Sequence, residues 1–237
     1  MSDMTEASAA MELEEFAARH AQKGGQGAWQ LESPRCLEVH LNSQTVRTKV
    51  GAMIAYRGGL KFERASSGGV GKMMKAMFTS ESGRATNVTG TGVLYLADAS
   101  KEISILKLTD DTIYVNSRDL LAYSEDLEWD ITVIKSAGIV AGGLFTFKLW
   151  GSGHAAITTH GDPLVLAVTP TSPLYTDPNA TVAWSEGLEV DVKSDVNLKT
   201  LTGRASGETW QMHFSGTGFV VVQPYEEGED SAARAQG

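Results

Sequence analysis

The stretch of sequence that decides the fold occurs twice: residues 121–130 read LAYSEDLEWD, and residues 182–191 read VAWSEGLEVD. The second copy lies sixty-one residues after the first, and this offset holds without a gap over 90–130. It aligns Tyr123 with Trp184. A catalytic loop has no need of a second copy, whereas a repeated structural unit does. The repetition therefore predicts tandem modules of similar fold.

A Gly-x-Gly doublet marks each copy. The doublets follow one another at spacings of 61 and 65 residues, as Gly90 and Gly92, Gly151 and Gly153, and Gly216 and Gly218. A more diverged copy lies upstream at an offset of 67, where Tyr56 aligns with Tyr123. Because glycine has no side chain, such doublets typically mark bulges or bends where two backbones approach closely. Three copies are therefore expected, and we predict a structural role for the six glycines and for the aromatic residues Tyr56, Tyr123 and Trp184.

The residue pattern between positions 29 and 225 is that of an all-β domain. Alternating apolar and polar residues, threonines and frequent glycines predict strands, as in 127–131, where an apolar face alternates with an acidic one. Short polar or glycine pairs separate the apolar runs of each copy and predict tight hairpin turns. These pairs lie at 58–59, 125–126 and 186–187.

Three segments depart from this pattern. The N-terminal extension, 1–28, carries Leu13 and Phe16 at helical spacing and predicts a short helix followed by a flexible joint. Residues 68–78 predict one inserted helix, because their GVGK run lacks the glycine and the hydroxyl residue that a phosphate-binding loop needs. The polar, acidic tail, 226–237, is predicted to be disordered.

Charge and cysteine content exclude several classes of function. The chain has 20 basic and 29 acidic residues, a net charge of -9, which disfavours nucleic acid as a partner because such binding needs a positive surface. Its single cysteine, Cys36, excludes an internal disulfide and a thiolate metal cluster, and we expect an inert, buried thiol. The acidic N-terminal region indicates no signal peptide, and the sequence indicates no transmembrane segment. We therefore expect a cytoplasmic protein.

Histidines are the first candidates for chemistry. A metal could bind His154, His160 and His213 if the repeat brings neighbouring copies together. However, His154 aligns with Val93 and Phe219, which cannot bind a metal, so satisfied or solvent-facing histidines are expected. No metal or other cofactor is predicted.

Paired acids are the second candidates. Glu128 with Asp130, and Glu189 with Asp191, lie two residues apart on strands and could resemble a glycosidase pair. The same spacing describes any solvated strand face. No GxSxG motif is present either. We therefore predict no catalytic residue and no enzyme activity.

The repeated motifs resemble one known family. LNSQTVRTKVGAMIAY, GTGVLYL, GSGHAAI and GTGFVVV, with AYSEDLEWD and AWSEGLEVD between them, are similar to the altered-inheritance-of-mitochondria twenty-four family over about residues 29–225. The resemblance implies three tandem β-sandwich or double-stranded β-helix modules, each similar to the subunit of the tryptophan-sensing RNA-binding attenuation protein. It implies a pseudo-threefold arrangement and trimer-like assemblies. The family brings no established catalytic residues.

Two functions of different classes fit these expectations. The first is a non-catalytic scaffold or protein-interaction module that forms homo-oligomers, with trimers implied by the family resemblance, and binds an unknown protein partner. The alternative is a module that binds or senses tryptophan or another small ligand. A pocket between modules lined by the repeated aromatic residues would favour the alternative, whereas tightly packed module junctions would favour the scaffold.

Overall fold

The computed structural model describes residues 11–25, 27–64, 85–134, 145–194 and 210–226. The predicted helix at 68–78 lies outside these residues, as does all of the predicted acidic tail except Glu226.

One short helix, α1, spans Leu13–Arg19 in the N-terminal extension. Glu14 and Glu15 lie in its first turn and Arg19 in its last, which suits the helix dipole. The Nη2 of Arg19 also pairs with Oε1 of Glu15 at 3.0 Å. The helix predicted from the apolar spacing is present, and every residue of α1 is exposed or only partly buried.

Fourteen strands account for most of the remaining described residues. Their bounds are β1 Trp29–Ser33, β2 Cys36–Lys49, β3 Met53–Arg64, β4 Ala85–Leu96, β5 Glu102–Asn116, β6 Leu120–Ser124, β7 Glu128–Val133, β8 Phe145–Thr159, β9 Leu164–Val168, β10 Leu174–Thr176, β11 Thr181–Ser185, β12 Leu188–Ser194, β13 Trp210–Gly216 and β14 Gly218–Val222.

The strands pair in an antiparallel manner and form two sheets. The larger sheet has the order β3-β4-β2-β6-β8-β5-β11-β14-β9, with β1 beside β2 and β7 beside β8, and the smaller one has the order β10-β13-β12. Within each third of the chain, the last long strand lies between the other two: β4 between β2 and β3, and β8 between β5 and the β6–β7 pair. The predicted all-β, antiparallel class is therefore confirmed.

The long strands bend where the backbone takes a positive φ. The values are 59° at Ser43 in β2, 90° at Gly58 in β3, 131° at Gly90 in β4, 58° at Asp110 in β5 and 102° at Gly151 in β8. The β2–β4 and β5–β8 ladders shift register at these bends, as at β-bulges. The bends let long strands curve around a core instead of extending as a flat ribbon.

The hairpin turns predicted at three positions are wrong. Strand β3 runs through 58–59 without reversing and pairs with β4 on both sides of that point. Strands β6 and β7 flank 125–126, yet both pair with β8 and not with each other. Likewise, 186–187 join β11, which pairs with β5 and β14, to β12, which pairs with β13. A polar or glycine pair between apolar runs has the same composition at a bend as at a hairpin, so only the pairing partners distinguish the two.

Among the described residues, three hydrophobic clusters form the core, and each of them includes side chains from more than one third of the chain. The cluster around β2 and β4 includes Leu121, Ala122 and Ala156 of β6 and β8. The cluster around β5 and β8 takes side chains from the last third of the chain. The third cluster is centred on Met212 and Phe214, both fully buried. Because side chains are shared, neighbouring thirds of the chain stabilise each other.

A buried ion pair joins the two loops that flank β5. The Nζ of Lys101 donates to Oδ1 of Asp119 at 2.9 Å, and the two side chains are only 5% and 2% exposed. Breaking such a pair is costly, because the remaining charge is left buried without its partner.

Candidate interaction surface

Gly90 and Gly92 lie where β4 passes close to the bend of β3. Gly90 has a φ of +131°, which residues with side chains rarely adopt, and a Cβ there would collide with the carbonyl oxygen of Gly59. A Cβ on Gly92 would collide with the carbonyl oxygen of Arg57. Both positions therefore require glycine, because the backbones of β3 and β4 come into direct contact.

The other two doublets lie at corresponding bends. Gly151 and Gly153 face the turn between β6 and β7, and Gly216 and Gly218 face the turn between β11 and β12. A Cβ at Gly153 would approach the Oγ of Ser124 to 2.5 Å, whereas the nearest atom to a Cβ at Gly151 is 3.9 Å away. The doublets thus lie at points of contact between strands and not in a cavity.

Tyr123 lies at the first junction between thirds of the chain, where β2 pairs with β6. In this ladder Arg47 is directly opposite Tyr123, and its guanidinium lies 5.7 Å from the centre of the tyrosine ring. The ring is 3% exposed and lies 6.3 Å from that of Phe147. Burial raises the pKa of Tyr123 well above its usual value, although the charge of Arg47 acts in the opposite direction. This junction is tightly packed.

Trp184 lies at the second junction, where β5 pairs with β11. Tyr114 is directly opposite it, and the two rings stack with centroids 5.7 Å apart at an angle of 4°. Trp184 also makes an edge contact with Phe214 at 5.5 Å and is 3% exposed. Both junctions therefore bury an aromatic residue of the later strand beneath a side chain of the earlier one.

The third predicted aromatic residue, Tyr56, lies at the open end of the larger sheet. Strand β3 pairs with β4 on one side and with no other strand among the described residues. Tyr56 is 49% exposed, and its ring contacts Phe62 at 5.0 Å. Met53 and Ile54 are exposed on the same strand. Charged side chains are exposed further along β3, at Arg57, Lys61, Glu63 and Arg64. The unpaired start of the strand, 53–56, is apolar and is a ready site for pairing with another chain.

The opposite end of the strand path is also open. Within the part of the chain that the structure describes, β9 pairs only with β14, and β10 pairs only with β13. Leu164 and Val165 of β9 are exposed, and Tyr175 of β10 is 50% exposed. The ring of Tyr175 contacts the ring of His213 at 4.6 Å, and Nζ of Lys193 lies 5.6 Å from its centre. We call these two regions, β3 and β9–β10, the open edges.

The histidines considered as metal ligands contact three different aromatic rings. His154 stacks on Trp29 at 5.8 Å, and His160 lies 4.1 Å from Tyr225. His213 packs on Tyr175, as described above. Over the described ranges, no group of three or more His, Cys, Asp and Glu side chains could hold a metal ion. The structure therefore does not bring these histidines into one site.

The acidic pairs lie on exposed strand faces. Glu128 is exposed on β7, and Asp130, which is half-buried, accepts a hydrogen bond at Oδ1 from the N–H of Ile131 at 2.8 Å. Glu189 and Asp191 are both exposed on β12. A solvated strand face accounts for both pairs.

One polar cluster was missed by the sequence analysis. Glu38 is fully buried on β2, where its carboxylate accepts hydrogen bonds from Nε2 of Gln22 and Nε2 of Gln30, both at 3.0 Å, and pairs with His40. Burial by itself raises the pKa of Glu38, but the hydrogen bonds of His40, Gln22 and Gln30 outweigh it and lower the pKa below its usual value. The alternation of apolar and polar residues in the CLEVHL run predicts a solvent-exposed side chain at Glu38. Its burial becomes evident only from the position of Gln22 in the structure.

The segment that follows α1, where a flexible joint is predicted, makes hydrogen bonds to the sheet. Gln22 is bonded to Glu38, and the N–H of Lys23 donates to Oε1 of Glu32 at 2.7 Å. Cys36, nearby on β2, is half-buried, and burial followed by the charges of Glu32 and Glu38 raises its thiol pKa. The N-terminal extension is therefore attached to β2 by hydrogen bonds, and the thiol is disfavoured as a nucleophile.

A surface groove lies between β1, the start of β5 and the loop before β9. It has a volume of about 380 Å³, and its charged lining consists of Lys23, Glu32, Glu102 and Asp162. The repeated aromatic residues do not line it. A space of only about 20 Å³ adjoins Tyr123 at the first junction, which is room for about one water molecule. The junction that contains Tyr123 is thus closed to larger ligands.

Comparisons with known proteins agree on the fold. Residues 29–225 match the family model described as "Mitochondrial biogenesis AIM24". A crystal structure of protein SPYM3_0169 from Streptococcus pyogenes is similar, with a TM-score of 0.68 and 20% sequence identity over 88% of this chain and 97% of that one. A search of curated proteins found no match. None of the helices in the described residues is long and apolar enough to cross a membrane. Because the family model spans nearly all of the β domain, this chain belongs to the AIM24 family.

Proposed function

We propose that this protein is a non-catalytic scaffold that assembles with copies of itself through the open edges of its sheet. The observation that carries the proposal is the exposure of apolar side chains on β3 and β9, the two terminal strands of the larger sheet. Natural proteins generally protect sheet edges with charges, proline or a covering loop. On β3 the charged side chains lie within 57–64, so the apolar start of that edge and the apolar edge of β9 are suited to pairing with a partner.

We further propose that the β domain consists of three similar modules, each joined to the next by the same kind of junction. The modules are 29–96, 102–159 and 164–222. In each one, the third long strand bends at a Gly-x-Gly doublet and pairs with the other two strands. The two aromatic junctions, Arg47 on Tyr123 and Tyr114 on Trp184, lie at corresponding positions between successive modules. These correspondences support repetition of one structural unit, which is expected of a scaffold.

The geometry supports the scaffold more strongly than the ligand-binding alternative. Tyr123 and Trp184 are buried in packed junctions, and neither lines the groove of about 380 Å³. The lining of that groove carries more acidic than basic side chains and lacks the repeated aromatic residues. The net charge of -9 likewise supports a protein partner over a nucleic acid.

Mass measurement in solution tests the proposal. Light scattering after gel filtration, over a hundredfold range of concentration, should give a multiple of the 25.3 kDa chain mass, with a trimer as one possible state. A strictly monomeric species over that range would contradict self-assembly. A turnover activity that disappears when Glu128 or His154 alone is replaced would contradict the non-catalytic assignment.

A further inference from the structure

The two internal junctions share the same strand pairing. At the first, Arg47 of β2 lies directly opposite Tyr123 of β6, and at the second, Tyr114 of β5 lies directly opposite Trp184 of β11. In both cases the strands are antiparallel, and the later aromatic residue becomes buried. The second half of a module's first strand therefore pairs with the first half of the next module's second strand.

The open edges carry the counterparts of the two residues that face each other at the internal junctions. The offset of 67 aligns Tyr56 of β3 with Tyr123, and the offset of 61 aligns Tyr175 of β10 with Tyr114. The described part of the chain supplies no cross-junction partner strand to either one. Tyr56 is 49% exposed, whereas its counterpart Tyr123 is 3% exposed. Tyr175 is 50% exposed, whereas its counterpart Tyr114 is partly buried under Trp184.

We propose that β10 of one molecule pairs antiparallel with β3 of a second copy of this chain, with Tyr175 directly opposite Tyr56. The same register places Leu174 opposite Arg57 and Thr176 opposite Ala55. This inference rests on the proposed self-assembly and specifies its interface and register. The contact is head-to-tail, so repeated association forms a ring if the rotation closes and an open filament if it does not.

A second copy is the occupant because both halves of the junction are exposed on the same folded chain. The two internal junctions form within the chain, whereas β3 and β10 of one chain do not pair with each other. The exposed apolar residues Met53 and Ile54 extend the surface beyond Tyr56. Pairing would satisfy the backbone N–H and C=O groups of both edges and remove these side chains from water.

Disulfide formation between two singly substituted chains tests the register. One population carries Tyr56→Cys and the other Tyr175→Cys, both with Cys36→Ser to remove the native thiol. Directly opposite residues of antiparallel strands have Cα atoms about 4.5–5.5 Å apart, within disulfide range. After mixing and mild oxidation, we expect a covalent dimer from the mixture and little from either population alone, because head-to-tail pairing never brings identical positions together.

Two controls make the cross-linking result interpretable. Thr45→Cys with Thr89→Cys, on directly opposite exposed positions of β2 and β4, should cross-link within one chain and shows that the oxidation works. Val50→Cys, 49% exposed but outside β3, should not cross-link to Tyr175→Cys.

Tyr56→Lys, which adds a charge to the edge strand β3, should lower the solution mass to that of a monomer, whereas Val50→Lys should leave the mass unchanged.

The outcomes separate this inference from the proposed function. Oligomers that persist without the Tyr56–Tyr175 cross-link, in the presence of a working Thr45–Thr89 control, overturn the register and leave self-assembly standing. A third chain carries both Tyr56→Cys and Tyr175→Cys. If a disulfide forms only within this chain, at high dilution, then β10 pairs with β3 of the same molecule, and the proposal of a second copy is wrong. A monomer at every concentration overturns both proposals.

Discussion

Replacing Gly90 with alanine tests whether backbone contact between β3 and β4 requires glycine. Two terms contribute to the cost. A residue with a side chain held at a φ of +131° costs about 1–3 kcal/mol. The collision of the new Cβ with the carbonyl oxygen of Gly59 forces the backbone apart, which at the scale of overpacking costs a further ~1–3 kcal/mol. We therefore expect Gly90→Ala to lower the free energy of unfolding by about 2–6 kcal/mol, a large part of the ~5–15 kcal/mol typical of a folded protein.

Alanine substitutions at two other glycines separate the cost of backbone strain from the cost of the collision. Gly151 has a φ of +102° but its nearest neighbour lies 3.9 Å from an added Cβ, so Gly151→Ala should cost only the strain of about 1–3 kcal/mol. At Gly59 no positive φ is imposed and the nearest atom is 4.0 Å away, so Gly59→Ala should be neutral or stabilising by up to ~1 kcal/mol. The expected order of stability is Gly59→Ala, then Gly151→Ala, then Gly90→Ala.

Guanidinium denaturation followed by tryptophan fluorescence measures the series, with circular dichroism to confirm that each variant keeps its β structure. The five tryptophans of the chain provide the signal. If Gly90→Ala unfolds within ~1 kcal/mol of Gly59→Ala, the close approach of β3 and β4 is not a constraint on position 90, and the explanation of the doublets is refuted.

Glu38→Gln should lower stability at neutral pH, because the hydrogen bonds to the Glu38 carboxylate outweigh burial and lower its pKa in the folded state. The carboxylate therefore stabilises the fold above the ordinary pKa of about 4.5, and the difference from the wild type should shrink as the pH falls through the lowered folded-state pKa. A difference that is constant with pH in denaturation experiments would contradict this. Lys101→Met should cost ~3–5 kcal/mol because it leaves Asp119 charged and buried, and adding Asp119→Leu should recover much of the loss; no recovery in the double variant would refute the ion pair as the cause. Phe214→Ala should cost ~3–5 kcal/mol, since the side chain is fully buried in the third cluster, and a change below ~1 kcal/mol would show that the cluster does not stabilise the fold.

Much of the architecture could be predicted from residue patterns because its causes are local. Alternation over 127–131 marks a strand with one wet face, since successive side chains of a strand point to opposite sides. Glycine at 90 and 92 marks a close backbone approach, since only a residue without a Cβ fits there. The alternation of apolar and polar residues is sufficient to predict the all-β class without knowledge of which strands pair.

Other features depend on contacts between residues far apart in the chain and were beyond reach of the sequence. The pairs at 125–126 and 186–187 look like hairpin turns, but the strands on either side pair with a third strand, and composition does not record that choice. Glu38 looks solvent-facing until Gln22 from the N-terminal extension is brought against it.

The sequence by itself predicts equivalent positions for Tyr56, Tyr123 and Trp184, because the residues around them align at offsets of 67 and 61. Only the tertiary structure decided that Tyr123 and Trp184 are buried while Tyr56 is half exposed. The physical reason is that burial at these positions depends on a neighbouring strand from another part of the chain. Strands β2 and β5 provide that neighbour for two of the aromatic residues, whereas β3 lies at the end of the sheet.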